Sequence, residues 1–291
     1  MMLRRFVYIA FAFFLLLAWE TKGQGRHALL VGIGDYPEES GWNRIHGNND
    51  VSIIKANLLR QGFLENNIIE LRDSLATKKN ILDSFGLLLT RLSSGDVVYL
   101  HFSGHGQQIT DLNGDEEDGY DEAWIPYDAK KVYVKGVYEG ESHLADDELN
   151  ALLTQLRGRV GIKGKIIVVA DACHSGSGSR NYTDDEVFVR GTSEKFIIPH
   201  QAPSTDKKSG STEWLFVAAC KSYQSNYEYR APNGDYYGVL SYVIANDIHF
   251  FDQCRYLDLL KNWSRDVSTK SRYPQDIDNE GQPSRRNSFM F

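Results

Sequence analysis

Cysteine is scarce in this 291-residue chain, with only Cys173, Cys220 and Cys254. Three are too few for a disulfide framework, and the odd count leaves at least one thiol unpaired within the chain. Positive charge is also short, 32 Lys and Arg against 39 Asp and Glu. Nonspecific nucleic-acid binding depends on phosphate neutralisation by such residues, so no nucleic-acid partner is expected, and cationic partners fit better. The one long apolar run, Phe6 to Trp19, has fourteen residues, fewer than the ~20 that span a bilayer. No G-x-S-x-G elbow surrounds Ser103, Ser175 or Ser177, which argues against a serine hydrolase. VGIGDY lacks the third glycine of a dinucleotide-binding turn, and no internal repeat is present.

The basic start MMLRR, the apolar run and the small residues Gly23 and Gly25 have the layout of a secretory signal peptide over residues 1–25. Its removal leaves 29 basic and 38 acidic residues, a net charge of −9. No cysteine follows the run, so no lipid anchor is expected. The expected product is secreted or periplasmic, has no membrane span in the mature chain and is a monomer. Residues 26–291 then form a single domain. Strands are predicted at 27–36, 67–71, 96–102, 166–170 and 214–220, and helices at 49–59, 74–91, 146–156, 236–248 and 256–268. SFMF at the end reads as an edge strand. Strands alternating with helices predict an α/β fold with a mostly parallel central sheet flanked by helices. Two polar segments interrupt the pattern: the acidic loop 111–122 and the long loop 180–212, with Arg180, Arg190, Lys195, Lys207 and Lys208.

Two strands end in unusual chemistry. KIIVVADACHSGSGS (165–179) runs from buried aliphatics into an acid, a thiol and an imidazole, and HFSGHGQQ (101–108) ends in His105 between glycines. Carboxyl ends of parallel strands are where open α/β sheets bind ligands. If the strands are neighbours, His105 meets Cys173, and a thiol beside an imidazole suffices for acyl transfer. The N–H groups of Gly106 and Cys173 are candidate oxyanion donors. His101 reads as structural. His174 is a rival base, but side chains adjacent on extended backbone diverge, which favours His105. His101, His105, Cys173 and His174 lack the paired spacing of a zinc site.

SGHG after one apolar strand and DACHSG after another resemble the His and Cys motifs of metacaspases and related caspase-like cysteine peptidases. The resemblance runs from HALLVGIGDY through LADDEL to YGVLSY. It implies a caspase-hemoglobinase type sandwich, a His105–Cys173 dyad, and hydrolysis of peptide or protein substrates after Arg or Lys. It also implies a pocket for the basic side chain from Asp50, Ser103 and Asp171. Two carboxylates there favour a cation and reject an acid; on its residues alone, Asp50 reads equally as a helix N-cap. The family's Gly-Cys-x-Asn-Asp is here the shorter Gly47-Asn48-Asn49-Asp50, which alters the pocket rim.

No cofactor is expected for the chemistry. The resemblance implies Ca2+ as activator, held by Asp121, Asp146 and Asp147, with Arg180 where the family has a further acid. Asp111, Asn113, Asp115 and Glu122 only partly match an EF-hand, because its glycine is replaced by Glu116. Self-processing within 180–212 follows from its basic residues. Two readings remain beside this one: a gingipain- or legumain-type peptidase of other specificity, and a catalytically silent caspase-like binding module. A Cys220–Cys254 disulfide is left open.

Overall fold

Along the first strand, side chains alternate between two separate hydrophobic layers, as the two-residue repeat of β structure requires. Leu29 and Val31 join one core cluster and Ala28 and Leu30 the other. A computed structural model describes residues 24–174, 187–199, 213–281 and 288–291. The proposed signal peptide lies almost wholly outside these residues, as do Arg180, Lys207 and Lys208.

The strands of the main sheet are β1 (Arg26–Gly32), β2 (Ile68–Arg72), β3 (Val97–Ser103), β7 (Lys165–Asp171), β8 (Leu215–Ala218) and β11 (Asp278–Glu280), in the spatial order β11-β8-β7-β3-β1-β2. All pairings are parallel except that of β11 with β8. Helices α2 (Lys78–Arg91) and α3 (Asp146–Val160) cover one face through Ile81, Phe85, Leu149 and Leu153. Helices α1 (Gly47–Arg60), α4 (Val239–Asn246) and α5 (Tyr256–Lys270) cover the other through Val51, Ile54, Leu240 and Trp263. This is the expected three-layer α/β sandwich. Strand β3 is buried throughout and β7 everywhere but its first residue, hence their aliphatic sequences.

Several local expectations need correction. Residues 236–248 do not form one helix: Tyr236–Gly238 is strand β10, paired antiparallel with β9 (Glu228–Arg230), and the helix starts at Val239. The acidic loop continues into β5 (Tyr120–Trp124), which pairs antiparallel with β4 (Gly106–Thr110) and β6 (Leu144–Ala145). SFMF is not the edge strand. That place is taken by β11, while Phe291 packs against Phe63 and Phe251. Apolar content drew the strand expectation to the terminus, where Met290 and Phe291 instead fill the core and Phe289 stays exposed.

Candidate active site

Strands β3 and β7 are neighbours in register, with Ser103 opposite Asp171. His105 and Cys173 each lie two residues beyond that pair, so the sheet brings both motifs to one rim. Gly106 sits against the Cys173 carbonyl and the His174 ring.

His105 is buried and stacked on Trp42, with ring centroids 4.8 Å apart. Its Nε2 lies 2.8 Å from the Asn43 carbonyl oxygen. A carbonyl can only accept, so Nε2 carries the proton and Nδ1 keeps its lone pair. Nδ1 is buried with no hydrogen-bond partner. Burial lowers the His105 pKa to about 4, so the ring is neutral at pH 7, the state a general base needs. The Cys173 thiol donates instead to the Gln224 carbonyl at 2.8 Å. Base and nucleophile thus share a rim without a hydrogen bond between them, and the thiol must swing from Gln224 to engage His105.

The other histidines separate by their partners. His101 Nε2 is 3.0 Å from Ser241 Oγ, whose own proton goes to Asp171 Oδ2 at 2.6 Å. His101 therefore supports Asp171 from below the rim, as a structural histidine would. His174 is half-buried, its pKa lowered to about 4 by desolvation.

Asp50, Ser103 and Asp171 are all fully buried and meet in one pocket. Its occupant is the chain's own Arg190. Arg190 Nη1 lies 2.6 Å from Asp50 Oδ2, 2.6 Å from Ser103 Oγ and 3.5 Å from Asp171 Oδ1. Glu228, which the sequence did not single out, completes the cradle at 3.0 Å from Nε and 2.9 Å from Nη2. Gly238 forms a wall: a Cβ there would strike the Asp171 carboxylate and the Arg190 guanidinium. Asp50 is no N-cap, since His46 holds that position, and its carboxylate accepts from Ser103 Oγ and the Gly238 N–H. The shortened Gly47–Asp50 rim is closed by Asn48 bonded to Asp73 and Asn49 bonded to the Tyr236 carbonyl.

Electrostatics distinguish the three acids. Burial, reinforced by the nearby Asp171 charge, raises Asp50 to about 7 despite Arg190. Burial would also raise Asp171, but Arg190 and the donors Asn226 and Ser241 outweigh it and hold that carboxyl below its usual range. For Glu228, Arg190 and His46 likewise overcome burial and lower the pKa. Arg190 thus gives the three buried carboxylates a common cationic partner.

The backbone around Arg190 is held as an added strand. Its carbonyl accepts from the Cys173 N–H at 2.8 Å, its N–H donates to Asn226 at 2.9 Å, and the Glu228 N–H donates to Phe188 at 3.1 Å. Val189 bridges Tyr227 in antiparallel sense. The carbonyl therefore rests on one of the two predicted oxyanion donors, directly beside the nucleophile. Gly191 follows, packed so closely on Cys173 that a Cβ would collide with its carbonyl oxygen. Asn43, Gln224, Asn226 and Glu228 lie outside every predicted element and Gly238 in a predicted helix; only their spacing from Arg190 in three dimensions gives them a role.

Asp121 groups with Asp111 and Asp115, their carboxylate oxygens within 4.8 Å of one another. Asp147 is joined to the same loop through Asn113, whereas the charge of Asp146 acts on Glu122, which burial and that charge raise to about 7. Of the expected trio of Asp121, Asp146 and Asp147, Asp121 falls in the cluster with Asp111 and Asp115. All three cysteines are free thiols. Cys220 contacts Cys173 rather than Cys254, which removes the Cys220–Cys254 pairing from this structure.

A family model described as "Metacaspase, peptidase C14 domain" matches residues 26–179, just over half of the chain. Metacaspase-1B of Aspergillus fumigatus is 36% identical over 161 residues, 52% of this chain and 36% of that protein. Metacaspase-1 of Eremothecium gossypii is 35% identical over 160 residues, 52% of this chain and 32% of that protein. The matched region therefore spans about a third of these relatives' length. A crystal structure of a Geobacter sulfurreducens protein superposes with a TM-score of 0.57 at 22% identity, covering 89% of this chain and 94% of that one. That likeness speaks for the fold alone. With the His and Cys motifs at one sheet rim and the family match running across both, the chain belongs to the metacaspase family of cysteine peptidases.

Proposed function

We propose that the protein is a cysteine endopeptidase that cuts after Arg or Lys and processes itself at the Arg190–Gly191 bond. The observation that carries this is the seating of Arg190: guanidinium among Asp50, Asp171 and Glu228, carbonyl on the Cys173 N–H, backbone paired with 226–228. Each is what a bound substrate's first residue before the cut requires. Cys173 attacks the carbonyl carbon as its proton passes to His105 Nδ1. The carbon–nitrogen bond breaks as His105 returns that proton to the Gly191 amine, and water then releases the acyl group from sulfur. The N–H groups of Cys173 and Gly106 hold the oxyanion; loss of one such donor costs about 3 kcal/mol.

Calcium activation belongs to the same reading. The oxygen-only set of Asp111, Asp115 and Asp121 suits a hard divalent cation. It follows directly on β4, whose Thr110 bonds the segment beyond Arg190 at Phe196 and Ile198. A bound ion would supply positive charge that fixes this loop, and with it the downstream side of the cleft. Export through the N-terminal leader is likewise proposed.

The catalytically silent reading draws on the thiol's bond to Gln224 and the filled pocket. Both readings meet in one assay, with purified protein, calcium, and reporter peptides ending in Arg, Lys, Asn or Asp. Turnover of the Arg and Lys peptides, lost in Cys173→Ala, is expected. Turnover after Asn or Asp instead would favour a legumain-type specificity, and no turnover of any peptide would favour the binding module.

A further inference from the structure

The cleft holds more of the chain than Arg190. Phe188, two residues upstream and on the same side of the added strand, lies edge-on against His46 at 4.5 Å and Tyr236 at 5.0 Å between ring centroids. His46 and Tyr236 are stacked on each other at 5.1 Å. Neither is free to turn away. The His46 ring is fixed by Glu228 at 2.6 Å and its N–H by the same carboxylate at 2.7 Å, while Tyr236 lies in β10, paired with Arg230 of β9. Glu228 thus braces both the basic pocket and this aromatic pair. A rigid, half-buried pair of rings presented to a passing strand favours an edge-on aromatic over an aliphatic or small side chain.

We infer that His46 and Tyr236 form a second specificity subsite, which selects substrates carrying an aromatic residue two positions before the basic residue at the cut. The inference rests on the proposed function, since it takes residues 187–190 as a stand-in for an external substrate. Strand addition fixes which substrate side chains face the enzyme: the first and third before the cut share a side, and Val189 between them points the other way. The chemical class is therefore a peptide of the form aromatic-x-Arg or aromatic-x-Lys.

The test uses the full chain and three fluorogenic peptide amides, Phe-Val-Arg, Ala-Val-Arg and Phe-Val-Asp. Competition from the protein's own Arg190 segment lowers all rates alike and leaves their ratios intact. Phe-Val-Arg is expected to exceed Ala-Val-Arg in kcat/KM by roughly tenfold. In Tyr236→Ala that ratio falls to within about twofold. Equal rates for the two Arg peptides on the wild-type protein overturn the subsite but leave the basic preference standing, and this result needs no variant to fold. A Phe preference that survives in an active Tyr236→Ala protein also overturns it. Failure to cut either Arg peptide, or faster cutting of Phe-Val-Asp, removes the proposed function and this inference with it.

Discussion

Arg190 and Lys195 lie five residues apart on one loop, both basic, both on composition alone equal candidates for self-cleavage. Their surroundings could hardly differ more. Arg190 is fully buried among three carboxylates with its carbonyl on the nucleophile's N–H. Lys195 is exposed, its Nζ 3.4 Å above the Tyr120 ring. Between them Gly191 lets the chain pass Cys173, and just beyond Lys195 the Phe196 ring anchors it in the core. If the protein cuts itself as proposed, the difference teaches that charge makes a residue eligible, while the pairing of the flanking backbone with 226–228 and with β4 decides which bond is presented. Tethering serves both residues alike, since Arg190 lies only seventeen residues beyond Cys173 and Lys195 twenty-two, which holds the loop near the cleft at high effective concentration.

Exchanging side chains breaks the comparison most sharply. Arg190→Gln removes the charge that seats the segment and is expected to slow cutting at this loop by at least about 100-fold, whereas Lys195→Gln leaves it unchanged. A time course on denaturing gels reads both, and equal loss in the two variants would contradict the distinction. Stability should part the same two residues by a smaller margin. Arg190→Ala strands three buried carboxylates and should cost about 3 kcal/mol, against about 0.5 kcal/mol or less for Lys195→Ala. Thermal melts of uncut protein in a Cys173→Ala background check this. A small guanidinium compound should restore part of the lost Tm for Arg190→Ala alone, by refilling the pocket.

The weakest handle is pH. Burial lowers His101, His105 and His174 to about 4 and His143 to about 3. In the unfolded chain these titrate near 6.5. Between those values the unfolded state binds more protons, so the histidines' contribution is complete above about 6.5 and is lost as pH falls toward 4. Asp50, raised to about 7, works in the opposite sense and favours the folded state at low pH. Glu122, also raised to about 7, acts with Asp50, but four histidines outweigh these two acids, so Tm should fall from pH 7.5 to pH 5. Arg190→Ala should fall by less, because an empty pocket strengthens the Asp50 contribution; an identical drop would show that Asp50 is not linked to Arg190.

The sheet and its helices were legible because two-sided burial writes itself into runs such as Ile166–Ala170, and helical spacing into Ile81, Phe85 and Leu88. His105, Cys173 and Asp171 stood out in motifs at strand ends, whereas Asp50, inside a helix, entered only through the family resemblance. Less visible were short elements outside the buried centre of the main sheet: β11 on β8, the β4–β6 sheet, and the β9–β10 ribbon. Asp278–Glu280 carries no apolar signal, since it completes an edge rather than a core. Glu228 and His46 were missed for a related reason. Each looks like a polar turn residue until Arg190, itself far away in sequence, draws them together.

The account stands or falls on which peptide bond the protein cuts in itself. Purified full-length chain incubated with calcium, beside Cys173→Ala, should yield a downstream fragment whose first residue is Gly191, and the variant should remain whole. A downstream fragment beginning at Phe196, after Lys195, or a wild-type chain that stays uncut at Arg190, would contradict the seating of Arg190 as substrate.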